Sequence, residues 1–184
     1  MITLLKKIII SMSIMMGAYT MQANAADLEN TLYLDLKDGK VVIELRPDLA
    51  PKHVERIKEL VRQKFYDGIV FHRVIDGFMV QTGDPTGTGA GGSGKKLSAE
   101  FSSEPHVRGI VSMARAASPD SADSQFFIVL KDSTFLDNQY TVFGKVTEGM
   151  QYVDNIKKGD PQDNGSVTNP DKIVSLRVAA DVKK

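Results

Sequence analysis

Two periodicities run along this chain. From Thr31 to Leu45 apolar and polar residues alternate: Leu32, Leu34 and Leu36 share one face, Tyr33 and Asp35 the other, and after Asp38-Gly39 the alternation resumes. This is the pattern of a β-hairpin closed by a two-residue turn. From Pro51 the period lengthens. Val54, Ile57, Leu60 and Val61 recur at helical spacing, while His53, Glu55, Arg56, Lys58 and Glu59 fill the polar face. Pro51 suits the first helical position, so the spacing predicts a helix that ends near Lys64. Apolar runs then predict strands over 69–75 and 78–82, joined at Asp76-Gly77, and further strands over 107–114, 125–130, 140–146 and 172–178. Met150, Val153 and Ile156, three apart, predict a second short helix within 148–157. Residues 83–94 read as a flexible glycine-rich surface loop.

About eight short strands and two helices, without regular βαβ alternation, predict a mainly β fold. A closed antiparallel barrel is the expected form, because closure leaves no exposed edge. The length of 184 residues suits one domain.

The first 25 residues are of another kind. Lys6 and Lys7 precede an apolar run from Ile8 to Tyr19, and Ala23-Asn24-Ala25 forms a small-x-small site. That is the layout of a secretory signal peptide, with cleavage expected after Ala25 and a mature domain over 26–184. The apolar run, about 12 residues, is short of the roughly 20 that span a bilayer. Losing Lys6 and Lys7 takes Lys+Arg from 23 to 21 against 23 Asp+Glu, a net charge of −2. No basic stripe favours nucleic acid, and no basic amphipathic helix favours a membrane surface. The chain has no cysteine, which excludes thiol chemistry, a lipoprotein anchor and zinc-thiolate sites.

Most apparent motifs fail on context. Gly87-Thr88-Gly89-Ala90-Gly91-Gly92 fits G-x-G-x-x-G, but no helix N-terminus follows to face a phosphate. His53, His72 and His106 lack the short convergent spacing of metal ligands, and no G-x-S-x-G elbow supports a hydrolase triad. One run is different. Phe71-His72-Arg73-Val74-Ile75-Asp76-Gly77-Phe78-Met79-Val80-Gln81-Thr82-Gly83-Asp84 sets an arginine and a glutamine among large apolar side chains. A guanidinium in such company is costly unless a groove or partner receives it. Two-residue alternation puts Arg73 with Phe71 and Ile75 on one face, His72 on the other, and Met79 with Gln81. The run Ser124-Gln125-Phe126-Phe127-Ile128-Val129 repeats the theme of one amide before a solid apolar strand.

The run 71–84 closely resembles the signature of the cyclophilin-type peptidyl-prolyl cis-trans isomerases. Gly109-Ile110-Val111-Ser112-Met113-Ala114-Arg115-Ala116 with Ser124-Gln125-Phe126-Phe127-Ile128 resembles the second signature, and Phe135-Leu136-Asp137 with Val142-Phe143-Gly144-Lys145-Val146 the third. The likeness runs in order from about Thr31 to Val178. It implies an eight-stranded antiparallel barrel capped by two helices. Matched by position, Arg73 stands for the catalytic arginine, and Phe78, Met79, Phe127 and Leu136 for the proline pocket. Gln81, Ala114, Arg115 and Gln125 stand for groups that bind the peptide beside it. Phe135 and Tyr140 occupy substrate-binding positions where many members have tryptophan and histidine, and Arg115 stands where asparagine is common. The tryptophan position is associated with cyclosporin, so tight binding of that drug is not expected.

The resemblance implies rotation about X-Pro bonds with no cofactor, metal or covalent intermediate, acting on proline-containing polypeptides. The leader and the absence of cysteine resemble the exported bacterial branch, so a periplasmic location is expected, and a monomer, since no heptad or self-complementary stripe appears. The alternative is a proline-peptide-binding module or holdase with little turnover. A refolding assay separates the two, because a holdase suppresses aggregation without accelerating the proline-limited phase.

Overall fold

The structure is a computed structural model describing residues 27–182. The leader and its cleavage point lie outside the described residues. β1 (Thr31–Leu36) and β2 (Gly39–Leu45) form the expected hairpin. Leu36 pairs with Gly39, so Lys37-Asp38 makes the turn, one residue earlier than the Asp38-Gly39 signal. Gly39 serves close approach instead: a Cβ there would strike the Tyr152 ring.

α1 (Pro51–Arg62) follows, then β3 (Arg73–Ile75), β4 (Met79–Thr82), β5 (Ile110–Met113), β6 (Phe126–Val129), β7 (Val142–Glu148), α2 (Met150–Asp154) and β8 (Ser175–Val178). All eight strands join one antiparallel sheet in the order β3-β4-β6-β5-β7-β2-β1-β8.

The sheet is a half-barrel of eight antiparallel strands; where the sequence predicts full closure, irregular backbone rather than strand pairing spans the gap. β3 and β8 are its edges and do not pair. The predicted strand over 69–75 shrinks to three residues because other backbone takes its outer edge. Val74 N–H donates to the Gly165 carbonyl, and the Gly159 and Val167 N–H groups donate to the carbonyls of Val74 and His72. Between the edges, Val70 bridges Lys172, and Phe71 N–H donates to the Asp171 carbonyl. Irregular segments thus satisfy the edge groups that closure would have paired.

The inner face of the sheet carries the main core. Leu32, Leu34, Val74, Val80, Val111 and Ile128 pack there with Val54, Ile57, Leu60 and Val61 of α1. Each such aliphatic side chain contributes about 1.5–3 kcal/mol when fully buried. A second cluster, Met79, Ile110, Phe127, Val129, Leu136 and Val142, lies apart from it. β5 and β6 are buried at every position. That is why they read as solid apolar runs rather than as alternation.

α1 begins at Ala50, whose side chain cannot cap it. Glu100 does so from a distance: its carboxylate accepts from the Lys52 and His53 N–H groups at 3.2 and 3.0 Å and meets His53 Nδ1 at 2.6 Å. Burial pushes the Glu100 carboxyl up, but these bonds prevail and hold it below its usual value. His53 is therefore fully buried, not on a solvent-facing polar surface as its helical spacing suggested.

Candidate active site

Register across the sheet builds one face of the site. Arg73 pairs with Gln81, Gln81 with Phe127, and Phe127 with Ser112. Directly paired residues share a face, so these four side chains stand in a row across β3, β4, β6 and β5. The next row holds Ile75, Met79 and Val129. The rows supply, in order, a cation, an amide and an apolar floor.

The Arg73 guanidinium is half-buried and pairs with no carboxylate among the described residues. Its Nη1 donates to Gln81 Oε1 at 3.2 Å, its Nε to the Asn164 carbonyl at 3.0 Å, and its Nη2 to Asn164 Oδ1 at 2.9 Å. All these partners are neutral, so the positive charge is positioned but not cancelled. Burial lowers the Arg73 pKa from its ordinary value, with the nearby Tyr140 phenol opposing, and the group remains charged. The amide relay continues: Gln81 Nε2 donates to Gln125 Oε1 at 2.9 Å, and Gln125 Nε2 donates to the carbonyls of Gly89 and Gly91 at 3.0 and 2.8 Å.

Above this floor opens a cleft of about 790 Å³, lined by Arg73, Phe78, Met79, Gln81, Phe127 and Leu136, with Ala114, Arg115 and Tyr140 on one side. A smaller hollow of about 360 Å³ adjoins it and shares Gln81, Ala114 and Arg115; Gln125 lines this one. The Arg115 guanidinium is committed locally. It donates to the carbonyls of Gln139, Ala116 and Ala117 and lies 4.7 Å over the Tyr140 ring. Arg115 is also held by neutral acceptors, but its fork is turned onto carbonyls of its own wall, whereas Arg73 stands in the row beside Gln81 and the apolar floor.

The glycine-rich loop is not the free surface loop its composition suggested. Asp84 is buried and accepts from Thr86 N–H, Thr86 Oγ1, Gly89 N–H and Gly91 N–H at 2.7, 2.8, 2.6 and 3.1 Å. Asp123 accepts from Ser93 and Gly94 N–H. Residues 87–90 consequently stand as a cleft wall. Burial pushes the Asp84 carboxyl up, but its bonds with Thr86, Gly91 and Gly89 outweigh this and lower it from 3.8 to about 2. A depressed folded value makes its stabilisation complete above the unfolded pKa and lost as pH falls from about 4 to about 2. Thermal unfolding followed across that window is expected to fall more steeply in wild type than in Asp84→Asn, which keeps only the share of the other lowered carboxylates such as Glu100. Parallel pH curves would contradict this role.

Two more histidines lie at or behind the cleft, and one of them departs from expectation. His72, assigned to the face opposite Arg73, lines the cleft beside it, and both its ring nitrogens are buried without a partner. It lies just before β3, where regular alternation has not begun. His106 is fully buried, with Nδ1 2.9 Å from Asp137 Oδ1 and Nε2 3.1 Å from Ser112 Oγ. The bonding order Asp–His–Ser is present, yet Ser112 is itself fully buried and its hydroxyl lies 2.9 Å from the Thr141 carbonyl. No substrate reaches such a hydroxyl, so it is not a nucleophile.

This geometry can hold a small apolar ring against Met79, Phe127 and Leu136 with a fixed cation at its edge. The family model for cyclophilin type peptidyl-prolyl cis-trans isomerase/CLD matches residues 31–178, almost the whole described chain. The chain belongs to the cyclophilin-type peptidyl-prolyl cis-trans isomerases. A probable peptidyl-prolyl cis-trans isomerase of Brucella suis is 57% identical over 173 residues, covering 88% of each chain. Peptidyl-prolyl cis-trans isomerase B of Bacillus subtilis is 45% identical over 71% of this chain and 92% of its own. Among solved structures, a cyclophilin from Hirschia baltica has a TM-score of 0.76 at 29% identity, covering 85% of this chain and 76% of its own. A cyclophilin type isomerase of Cryptosporidium parvum, determined in the presence of the dipeptide Ala-Pro, has a TM-score of 0.73 at 30% identity, covering 80% and 98%.

Like those relatives this cyclophilin is an enzyme, and its cleft gathers most of the residues that the sequence motifs single out. Phe135 stands outside the cleft lining: it is 65% exposed and meets Phe78 at its edge, ring centroids 5.5 Å apart. His72, Gly87, Thr88, Gly89, Asn164 and Ser166 line the cleft without having been expected there. Asn164 carried no usable signal, because it reaches Arg73 across 91 residues of chain. Asp84 could have been suspected from its place before a run of glycines and threonines, where a carboxylate can collect backbone N–H groups.

Proposed function

We propose that Arg73 is the catalytic residue of a periplasmic isomerase that speeds rotation about X-Pro bonds while exported polypeptides fold. One observation carries the catalytic assignment: a permanently charged guanidinium beside an apolar hollow, held only by neutral acceptors. Amide resonance imposes a barrier of roughly 18–20 kcal/mol on this rotation. Twisting the C–N bond breaks conjugation and leaves a lone pair on a pyramidal prolyl nitrogen. A donor aimed at that lone pair stabilises the twisted state more than either planar one. Arg73 has the fork and the charge for this, and Gln81 keeps the fork in place.

In this reading Met79, Phe127 and Leu136 grip the prolyl ring, with Phe78 at the edge. Gln81, Gln125, Ala114 and Arg115 align the flanking peptide. The relative determined in the presence of Ala-Pro supports a proline-containing substrate for this site. The route needs no proton transfer, so turnover is expected to depend on the positive charge rather than on a titrating base. The test is isomerisation of a short X-Pro peptide by wild type and Arg73→Ala in a protease-coupled assay. Undiminished turnover in the variant would reject Arg73.

The export half of the proposal rests on Lys6, Lys7, the apolar run and Ala23-Asn24-Ala25. Among the described residues no helix is long and apolar enough to cross a membrane. Expressed with its leader in a Gram-negative host, the protein is expected in the periplasmic fraction with a mass that begins at Ala26. A full-length chain confined to the cytoplasm would overturn this half alone.

A further inference from the structure

We propose that His106 is a positioning residue for isomerisation: one buried imidazole sets the shape of the hollow that receives the client's prolyl ring. The inference rests on the reading of Met79, Phe127 and Leu136 as that hollow. His106 does not line the cleft. It lies behind three of its walls and is tied to each.

The first tie is to the floor. The His106 ring lies within 20° of parallel to Phe127, centroids 6.2 Å apart. The second is to the wall that carries Leu136. Asp137, the next residue, accepts from the His106 backbone N–H at 2.8 Å and meets its Nδ1 at 2.9 Å. The third runs through Ser112, the cross-strand partner of Phe127, whose Oγ lies 3.1 Å from His106 Nε2 and 2.9 Å from the carbonyl of Thr141. Thr141 adjoins Tyr140, whose ring meets the His106 ring edge-on at 6.5 Å.

A side chain needed only to fill this space would be apolar, since each buried polar atom must be matched by a partner. Here both ring nitrogens are matched, and the two partners lie on different walls. Rotation of the ring would break both bonds at once, so Phe127 and the Leu136 turn are locked in mutual register. Such pre-organisation tightens substrate binding by reducing what must be ordered when the peptide arrives.

The test uses the mature chain and an X-Pro peptide. His106→Phe keeps the ring volume and deletes both polar ties. Its KM is expected to rise about tenfold with a smaller change in kcat, and the Phe127 ring resonances are expected to shift and broaden. Val153→Ala, in α2 and away from the cleft, supplies a destabilised control whose KM is expected to stay at the wild-type value. A KM within about twofold of wild type in His106→Phe, or an equal rise in the Val153→Ala control, would overturn the proposal. Should His106→Phe fail to fold, Ser112→Ala keeps the imidazole and deletes the third tie, both the Nε2 partner and the bond to the Thr141 carbonyl: a raised KM supports the positioning role, and an unchanged KM overturns it. Failure of the catalytic reading appears elsewhere, as full turnover in Arg73→Ala.

Discussion

Arg73→Ala is expected to lower kcat/KM for an X-Pro peptide by about 10²–10³-fold, the cost of removing one pre-organised donor from a developing charge. The loss should fall on kcat. The apolar floor that grips the prolyl ring does not include the guanidinium, so peptide affinity is expected to change little. Folding is expected to survive, because Arg73 takes no part in the main core and its acceptors lie where water can replace it, Asn164 exposed and Gln81 half-buried on the cleft. Arg73→Lys is the sharper form of the experiment. It retains a charge but cannot donate to Gln81 and Asn164 while aiming a further N–H at the substrate. If the fork matters as proposed, lysine recovers only a small part of the lost rate. Recovery to wild-type turnover would show that charge alone suffices.

Phe127→Ala is expected to be the most damaging single truncation in the cleft. Phe127 is only 5% exposed and forms the floor of the second apolar cluster. Truncating a buried phenylalanine costs about 3–5 kcal/mol, and the lower end applies here because the space opens to the cleft and admits water. The same cut removes the surface under the prolyl ring. Losing about 1.5–3 kcal/mol of apolar contact corresponds to roughly a 10–100-fold fall in kcat/KM, seen chiefly in KM. Urea unfolding and steady-state kinetics on one preparation separate the two effects. A variant of wild-type KM would place the prolyl ring elsewhere.

Legibility from sequence followed the range of the interaction. The β1–β2 hairpin was readable because alternation is a property of neighbouring residues, and only its turn moved by one place. Pro51 and the apolar spacing announced α1. The extent of β3 was not readable. Its edge is taken by residues 159–167, and no local pattern in 69–75 reports that competition. The His53 imidazole looked solvent-facing from helical spacing, yet Glu100, 47 residues away, holds it in the interior. The glycine loop looked free because backbone N–H groups have no sequence signature, and it is their convergence on Asp84 that makes it a wall.

By itself, the order of residues settled which segments become strands and helices, that an arginine and two amides sit among large apolar side chains, and which family carries such runs. Tertiary structure decided the rest: that the sheet curls into a half-barrel, that Arg73, Gln81 and Phe127 fall into one row, and that a buried histidine stands behind the pocket. The division has a physical cause. Backbone preference and side-chain alternation act over a few residues, whereas strand register and buried hydrogen bonds join groups that meet only once the chain has folded.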